Sequence, residues 1–503
     1  MNILFVAPEV APFAKTGGLA DVAGAMPKHL ASLGHKVHLL MPLYRCVREN
    51  FPDLRPTEKS ITVSIGQIPY SATIWTGTLP DSDVPILFLD QPCFFDREEL
   101  YGNYRTAGAE KGDYKDNCAR FVFSSRGALE AAIALGLRPD VVHVNDWQTA
   151  LVPVYLKTLY RDCPTLANAA SVITIHNLAY QGVFDQMDMT LTGLDWSLFN
   201  WRQLEFFGKL NFLKGGLVFA DAINTVSAQY AKEIQTPDFG FGLDGVLRER
   251  AADLYGIING IDYSVWSPDV DTLIPARYSA QDLSGKSTCK KELQRQNRLP
   301  TASVPLIGMI SRLDNQKGFD IFAPIIDKFL AHDLQFVLLG TGDKKYHELF
   351  EAVAKRSPNK AGINLKFDNS LAHLIEAGAD MFLMPSRYEP CGLNQLYSLR
   401  YGTVPIVRRT GGLADTIVDF NEKTLADGSA NGFSFEQYSS EALLNTIERA
   451  LTVFRDSKTW KQLRLNGMRQ DWSWTRSARE YAALYQRALE KKAAAAAAAT
   501  SKT

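Results

Sequence analysis

The stretch DMFLMPSRYEPCGLNQ, residues 380–395, joins an apolar segment to a helical pattern. Residues 381–384 are apolar throughout, which indicates a strand buried on both faces of a parallel sheet. Prolines then bracket a non-helical turn that carries Glu389. Leucines recur at helical spacing from Leu393 onward, so a helix should begin there and point the amides of residues 391–393 at an anion or sugar hydroxyls. Alone, such a carboxylate more often caps its own helix; the other motifs favour a ligand role.

The N-terminal segment shows the same order of strand, loop and helix. Residues 2–7 read as a buried strand, and KTGGLAD at 15–21 opens a helix that ends at Gly34. A second strand at 36–41 completes a β-α-β unit. Lys15 places a cation where a phosphate would bind, and the glycines allow close backbone approach. Because the spacing is not GxGxxG and no acidic residue ends the second strand, nicotinamide dinucleotide binding is disfavoured.

The sequence RTGGLAD at 409–415 repeats KTGGLAD with one cation exchanged. It follows the predicted strand 403–407 as the first copy follows strand one. Strands alternate with helical patterns in both halves, which is typical of parallel sheets. The sequence therefore predicts an α/β fold with two Rossmann-like doubly wound domains, and the two glycine loops are expected to direct the positive ends of their helices into one cleft.

The predicted domain boundaries follow from these patterns. Residues 1–258 form the N-terminal domain and residues 259–471 the C-terminal domain. An amphipathic helix at 472–490 is expected to pack back on the N-terminal domain. The alanine-rich residues 491–503 are expected to form a disordered tail. The hinge is placed near residues 256–262.

Polar side chains follow two further apolar strands of the first half. Asp146 and Trp147 come after the strand 141–144, and His176 comes after the strand 171–175 in the sequence HNLAYQG. Open α/β sheets bind ligands at the carboxyl ends of their strands, and an indole can pack on a sugar face. A core tryptophan beside a capping aspartate is an equally good reading of the first pair. For His176 an active-site role is favoured, because it is the third such cluster in succession.

Two cations lie five residues apart on one strand-to-helix connection in the second half. Arg312 and Lys317 follow the predicted strand 305–310. A guanidinium offers a forked donor and an ammonium a compact charge, which together suit a diphosphate. Each alone would more often be a solvated surface cation.

Composition limits the partners and the compartment. The 503 residues contain 54 Lys and Arg against 55 Asp and Glu, so no overall charge draws the chain to nucleic acid or to a membrane surface. Six cysteines show no metal-ligand spacing, and no metal site or cofactor is predicted. The chain begins on a strand without a signal peptide or long apolar run, which favours a cytoplasmic protein, or one in the plastid stroma after removal of a transit peptide.

Together these motifs resemble the bacterial glycogen synthases and plant-type starch synthases, retaining glycosyltransferases of the GT-B architecture, in which two domains face each other across a deep cleft. The resemblance runs from the Lys15 loop to about residue 487. It implies transfer of glucose from ADP-glucose to the non-reducing end of an α-1,4-glucan (glycogen, starch or malto-oligosaccharide). In that case the N-terminal domain lies on the acceptor side and the C-terminal domain binds the nucleotide sugar. It also implies roles for particular residues: Lys15, Arg312 and Lys317 on the diphosphate, Phe367 on the adenine, Gly18, Asp21, Asn259, Glu389, Cys391, Gly392 and Leu393 around the glucose, His176 near the anomeric carbon, and Tyr101, Asp146 and Trp147 on the acceptor side.

The chain departs from the family pattern at two positions, and a third position differs from other glycosyltransferase families. Phe367 stands where many bacterial members have a stacked tyrosine, and Asn394 stands where they often have threonine. Tyr397 replaces a glutamate that related families use for ribose.

Rival functions are a sucrose-phosphate or trehalose-phosphate synthase, a phosphorylase, and a non-catalytic glucan-binding protein of the same fold. Retention is open to two routes, attack from the face of the leaving phosphate or a covalent glycosyl intermediate. Nucleotide preference between ADP and UDP, the identity of the product glucan and the oligomeric state also stay open.

Overall fold

The computed structural model describes residues 1–104 and 110–500, with the side chains of residues 499 and 500 left aside. The strands are Asn2–Val6 (β1), Lys36–Pro42 (β2), Arg55–Ile65 (β3), Ile68–Thr78 (β4), Pro85–Asp90 (β5), Gly102–Asn103 (β6), Gly112–Asp113 (β7), Val141–Asn145 (β8), Ala170–Ile175 (β9), Val183–Phe184 (β10), Glu205–Phe206 (β11), Lys209–Asn211 (β12), Ala222–Thr225 (β13), Leu254–Gly256 (β14), Leu306–Ile310 (β15), Gln335–Leu339 (β16), Ala361–Asn364 (β17), Met381–Met384 (β18), Val404–Arg408 (β19) and Phe433–Phe435 (β20).

The α-helices are Gly18–Ser32 (α1), Arg45–Asn50 (α2), Pro92–Phe95 (α3), Asn117–Ala134 (α4), Leu151–Lys157 (α5), Met189–Thr192 (α6), Phe212–Phe219 (α7), Ala228–Glu233 (α8), Asp244–Glu249 (α9), Ser284–Gln296 (α10), Phe319–Phe322 (α11), Ile326–Ala331 (α12), Lys344–Arg356 (α13), Asn369–Gly378 (α14), Asn394–Arg400 (α15), Gly411–Thr416 (α16), Glu422–Ala426 (α17), Ser440–Phe454 (α18), Ser457–Met468 (α19) and Trp474–Thr500 (α20). Short 3₁₀ helices occur at Trp147–Thr149, Gln186–Asp188, Trp196–Leu198, Ala251–Asp253, Asn315–Lys317 and Ala323–Ile325.

The chain divides into two compact units. The first contains Met1–Val226, Ala231–Gly260 and the C-terminal helix from Trp474 onward, and the second contains Ser227–Tyr230 and Ile261–Ser473. The chain therefore passes between the units four times, after residues 226, 230, 260 and 473. Among the described residues, no helix is both long and apolar enough to cross a membrane.

In the described part of the first unit, one nine-stranded sheet has the order β14-β13-β9-β8-β1-β2-β5-β4-β3. The strands from β14 to β5 are parallel, and β4 and β3 add an antiparallel hairpin at the edge. The central strands β1, β8 and β9 are buried on both faces, which agrees with their continuous apolar sequences. Their carboxyl ends lead to Pro8, Asp146 and His176 at one edge of the sheet.

The C-terminal helix α20 completes the core of the first unit. It packs on α1 and β9. The hydroxyl of Tyr485 lies 2.7 Å from Nδ1 of the buried His143, whose Nε2 lies 2.7 Å from the hydroxyl of Thr174. Asn224 also donates to the hydroxyl of Tyr481 at 3.0 Å. The helix therefore satisfies polar groups inside the sheet as well as covering it. It continues to Thr500 where the sequence suggested disorder, because alanine is the strongest helix former.

The second unit is a six-stranded parallel sheet in the order β17-β16-β15-β18-β19-β20. Its helices bury an apolar core that includes Ile307, Phe322, Phe336 and Leu383. Side-chain caps fix where several helices begin: Asp368 accepts from the amide of Leu371 at 3.0 Å, and Ser439 caps α18. The carboxyl ends of β15 and β18 lead directly into the segments that carry Arg312, Lys317 and Glu389.

Candidate active site

The first glycine loop is organised around a carboxylate that the sequence analysis overlooked. Glu9 is buried and accepts hydrogen bonds from the amide of Thr16 and, at 2.9 Å, from its hydroxyl. Burial raises the pKa of Glu9, and the amides of Thr16 and Gly17 oppose that shift. The available signal was its position shortly after β1, between Pro8 and Pro12. Amides that the sequence offered to a phosphate therefore bind a carboxylate of the chain itself.

The remainder of this loop is open. Lys15 is half-exposed, and its ammonium lies 2.6 Å from a carboxylate oxygen of Asp21 on α1. No side chain caps α1, which begins at Gly18. A Cβ placed on Gly17 would meet nothing within 4 Å. The loop thus places Lys15 and Asp21 beside the uncapped start of α1, where a ligand can approach the backbone.

Asp146, Asn145 and His176 form one hydrogen-bonded cluster at the ends of β8 and β9. Asp146 has a left-handed φ of 56° and accepts from the amide of His176 at 2.7 Å. Nδ2 of Asn145 donates to the Val6 carbonyl, so its Oδ1 accepts from Nε2 of His176 at 2.9 Å. The imidazole therefore carries its proton on Nε2 and keeps a lone pair on Nδ1.

The ionisation of this cluster is set by burial. Burial lowers the pKa of His176 to about 3, so the ring is neutral near neutral pH. Burial also raises the pKa of Asp146 to about 7; the amides of His176 and Asn177 oppose the shift, and the charge on Glu9 adds to it. The first unit thus presents two carboxyl groups whose proton affinities are above normal.

Trp147 does not present a face to solvent. It is 9% exposed, its ring lies 4.9 Å from that of Phe121, and a Cβ on Gly182 would lie 2.3 Å from an indole carbon. Gly182, with a φ of 63°, therefore ends the HNLAYQG loop flat against the indole. The predicted sugar contact of Trp147 is revised to support of that loop, because the apolar ring is more stable in the interior.

One residue with a predicted ligand contact has an unsatisfied polar atom. In the described part of the chain, Oδ1 of Asn259 is buried without a hydrogen-bond partner, whereas the buried hydroxyl of Tyr101 lies within reach of the Glu9 carboxylate. Leaving a buried polar atom unpaired costs about 1 to 3 kcal/mol, so Asn259 would gain from binding a ligand or a water molecule. Part of the loop that follows Tyr101, residues 105–109, lies outside the described residues.

In the second unit, Glu389 and Lys317 form a paired charge at the end of β18. Nζ of Lys317 lies 2.7 and 2.9 Å from the two carboxylate oxygens of Glu389, and the hydroxyl of Ser386 donates to one of them at 2.9 Å. Glu389 is buried and Lys317 is mostly so. The pair is therefore fixed in position by several charge-assisted hydrogen bonds.

The connection that carries the cations is held against this pair. Asp314 caps the 3₁₀ turn by accepting from the amide of Lys317 at 3.0 Å, and Arg312 lies 3.2 Å from the Asp314 carboxylate. Gly318 has a φ of 83°, and a Cβ on it would lie 2.1 Å from the Pro385 carbonyl oxygen. Only glycine fits there. Arg312 is more than half exposed and free to reach a ligand.

The turn after Glu389 is supported from both sides. Gly392 has a φ of 74°, and Gln395 donates to the carbonyls of Cys391 and Gly392 at 3.0 Å each. Asn394 donates to the Ile310 carbonyl at 2.9 Å, which ties the start of α15 to β15. Helix α15 begins at Asn394, one residue after Leu393.

The second glycine loop has a different role from the one predicted. The amide of Gly412 donates to the carbonyls of Glu389 and Pro390 at 3.1 Å each. A Cβ on Gly411 would lie 2.0 Å from the Glu389 carbonyl oxygen, and one on Gly412 would lie 2.0 Å from that of Cys391. The expectation that this helix start is aimed at a ligand is therefore corrected: the loop is a support for the Glu389 turn.

Tyr397 and Phe367, which differ from the residues of related enzymes, have different surroundings. Tyr397 stacks on Trp266 with ring centres 3.9 Å apart, and Trp266 also stacks on His373 at 3.7 Å. Tyr397 therefore anchors the segment that enters the second unit. Phe367 lies beyond the end of β17 and is 87% exposed, so its ring is available for stacking. No group of three or more metal-ligating side chains occurs among the described residues.

Comparisons with known proteins agree with this geometry. The starch synthase catalytic domain family matches residues 2–249, and the glycosyl transferases group 1 family matches residues 290–466. Together with two Rossmann-like units, these matches define a glycosyltransferase of the GT-B type.

The similarity extends over almost the whole chain. The glycogen synthase of Koribacter versatilis (strain Ellin345) is 48% identical over 493 residues, covering 98% of this chain and 99% of that one. The catalytic domain of Starch Synthase IV from Arabidopsis thaliana, solved with ADP and acarbose bound, has a TM-score of 0.88 and 34% identity, covering 97% and 99% of the two chains. The chain belongs to the glycogen synthase and starch synthase family. A sucrose-phosphate synthase from Thermosynechococcus elongatus, at 17% identity and a TM-score of 0.58 over 97% and 98% of the chains, shares the fold alone.

Proposed function

We propose that the protein transfers glucose from ADP-glucose to the 4-hydroxyl at the non-reducing end of an α-1,4-glucan, with retention of anomeric configuration. The observation that carries the proposal is the Lys317 ammonium bound to both carboxylate oxygens of the buried Glu389 at a strand end. It places a cation for a leaving phosphate beside acceptors for sugar hydroxyls. Relatives named glycogen synthase, and a starch synthase solved with ADP, support these substrates.

Each group has a part in binding. Arg312, Lys317 and Lys15 hold the diphosphate, since each charge-assisted hydrogen bond is worth about 1.5 to 3 kcal/mol. Phe367 stacks on adenine. Glucose is held by Gly18, Asp21, Asn259, Glu389 and the backbone at Cys391, Gly392 and Leu393, and the glucan acceptor by Tyr101 and Asp146.

In the reaction, the bond between C1 of glucose and the phosphate oxygen breaks, and its electron pair goes to ADP. The acceptor 4-hydroxyl oxygen bonds to C1 on the same face and gives its proton to the departing phosphate. Both oxygens of Glu389 are bound to Lys317, and one also to Ser386, so this carboxylate orients hydroxyls rather than attacking C1. Arg312 and Lys317 stabilise the charge that grows on ADP.

His176 acts as a neutral group. With Nε2 donating to Asn145, the Nδ1 lone pair accepts a hydrogen bond from a glucose hydroxyl near C1. Since the pKa of His176 is lowered to about 3, its ionisation does not shape the activity profile between pH 5 and 9.

We expect the two side-chain cations to make a metal ion unnecessary. A chelator should leave the rate intact; a large loss restored by Mg²⁺ contradicts this expectation. The bacterial sources of the relatives support a cytoplasmic location over a plastid one.

The test is a transfer assay with ADP-glucose and UDP-glucose side by side, using maltotriose as acceptor. Glucan elongation with release of ADP is expected. Transfer to fructose 6-phosphate or glucose 6-phosphate instead would indicate a sucrose-phosphate or trehalose-phosphate synthase. Glucose 1-phosphate release with the absorbance of pyridoxal phosphate would indicate a phosphorylase, and glucan binding without ADP release a non-catalytic protein.

Lys317→Ala is expected to lower kcat/KM for ADP-glucose by tenfold or more, about 1.4 kcal/mol and upward. Lys344→Ala is the matched control, because that lysine is 90% exposed and pairs only with Glu348 among the contacts described. Equal activity of the two variants would remove Lys317 from the site.

A further inference from the structure

Exposed aromatic side chains are concentrated beside the small three-stranded sheet of the first unit, in the order β10-β12-β11. Phe207 is 83% exposed, Trp201 70% and Phe241 40%. Phe206 lies with its ring centre 4.7 Å from that of Phe207. We call Trp201, Phe206, Phe207 and Phe241 the aromatic patch. The Lys214 ammonium donates to the carbonyls of Trp201 and Glu205, at 2.6 and 2.5 Å, which places Trp201 beside the start of β11. Large rings normally avoid such exposure, so a set of exposed rings on neighbouring segments marks a binding surface.

The backbone carries two of these rings in an unfavourable conformation. Phe207 and Gly208 form the two-residue turn between β11 and β12, with φ of 51° and 76°. Such turns favour Asn-Gly, since a residue with a bulky side chain is strained at positive φ. Phe241 and Gly242 repeat the arrangement with φ of 48° and 83°. The backbone is thus strained at two positions, and each holds an exposed phenylalanine. This repetition points to a function of the rings.

The two Phe-Gly pairs are neighbours in space. A Cβ on Gly242 would lie 2.9 Å from the ring tip of Phe206 and 3.3 Å from the ring of Phe207. The glycine therefore lets the second loop lie directly on the hairpin, and the rings of both loops belong to one surface.

This surface is continuous with the HNLAYQG loop. Gln181 donates to the Phe241 carbonyl at 3.0 Å and accepts from Nδ2 of Asn211 on β12 at 2.7 Å. Beneath it, Phe184 of β10 packs between Phe212 and Trp147, at 4.7 and 5.8 Å. The loop that carries His176 is thus joined to the aromatic patch by the hydrogen bonds of Gln181 and by the ring contacts of Phe184.

We propose that the aromatic patch binds a segment of the α-glucan chain several sugars away from the one that is extended. The proposal rests on the proposed function for the identity of the polymer. An α-1,4-glucan offers uncharged rings with apolar C–H faces, which match aromatic faces, and hydroxyl edges. The guanidinium of Arg202, 4.9 Å from the Trp201 ring centre, is placed to donate to such hydroxyls.

Phe207→Asn removes the aromatic ring but keeps the turn, because asparagine favours the left-handed conformation that the turn requires. Binding of glycogen is measured without ADP-glucose, by affinity electrophoresis. The variant is expected to bind glycogen about two- to tenfold more weakly, as removal of one aromatic contact predicts. Phe207→Tyr keeps the ring and the affinity. Leu159→Asn, at an exposed leucine in another turn, is the control and should bind as the wild type.

Steady-state kinetics distinguish a loss of glycogen binding at the patch from a defect at the active site. In Phe207→Asn, KM for glycogen should rise while kcat and the KM values for maltotriose and ADP-glucose stay unchanged. Unchanged glycogen affinity overturns the proposal, as does an equal rise in KM for maltotriose. A difference in oligomeric state between Phe207→Asn and the wild type, measured by size-exclusion chromatography, also overturns the proposal, because the patch would then bind a second copy of the chain. A wild type that binds glycogen through Phe207 but transfers no glucose would instead contradict only the proposed function.

Discussion

The two TGGLAD loops share six consecutive residues but are used in opposite ways. In the first unit, Gly17 faces open space and Lys15 is half-exposed beside Asp21. In the second unit, Gly411 and Gly412 are pressed on the carbonyls of Glu389 and Cys391, and Arg409 pairs with the exposed Glu436. The same sequence therefore leaves one loop available to a ligand and makes the other a support for the turn that holds Glu389.

The largest expected effect comes from adding a methyl group to each loop. Gly412→Ala places a Cβ 2.0 Å from a backbone oxygen, so it should destabilise the protein by about 1 to 3 kcal/mol and displace the Glu389 turn, with loss of most activity. Gly17→Ala should leave Tm unchanged and raise only KM for ADP-glucose. Thermal unfolding and steady-state kinetics measure both; equal Tm values for the two variants would refute the difference in role.

The second-largest difference is expected between substitutions of the two cations that precede the loops. Lys15→Ala is expected to lower kcat/KM for ADP-glucose by roughly tenfold, because a charge-assisted bond to the diphosphate is lost. Arg409→Ala should change it less than about twofold, since an exposed ion pair is worth little. Similar losses in the two variants would indicate that both loops contact the substrate.

The smallest effect concerns the carboxylate that the first loop binds. Because the pKa of Glu9 is raised in the fold, the folded state keeps a proton that the unfolded state loses above its ordinary value of 4.5. Wild-type stability should therefore fall as pH rises from that value through the raised pKa. Glu9→Gln removes this dependence, so its Tm should gain on that of the wild type with increasing pH. Glu436→Gln, at the exposed carboxylate that pairs with Arg409 of the second loop, is the control and should show no such trend. A Tm of Glu9→Gln that does not gain on the wild type with pH would contradict the burial argument.

The sequence predicted the sheets and the family well. Apolar strands with a loop and a helix after them are local patterns, so β1, β8, β9, β15 and β18 could be located to within one or two residues, and the two-domain fold was confirmed. Local patterns do not reveal what a side chain meets across the fold. The burial of Trp147 depends on contacts with rings from distant segments, and the partnership of Glu9 with Thr16 depends on how the loop between them folds back.

The second glycine loop shows the same limit. Its sequence equals that of the first loop, but the Glu389 carbonyl fills the position that is open beside Gly17. Only the fold decides which amides a ligand can reach. The substrate-binding roles assigned to the site residues, Arg312, Phe367 and Asn259 among them, stay predictions.

The position of α20 has a consequence for how the protein is made. The hydroxyls of Tyr481 and Tyr485 satisfy Asn224 and His143 inside the first unit, yet both tyrosines are synthesised after the whole of the second unit. The second unit, whose strands all precede residue 436, can complete its sheet earlier. The half that is synthesised first therefore reaches its final state last.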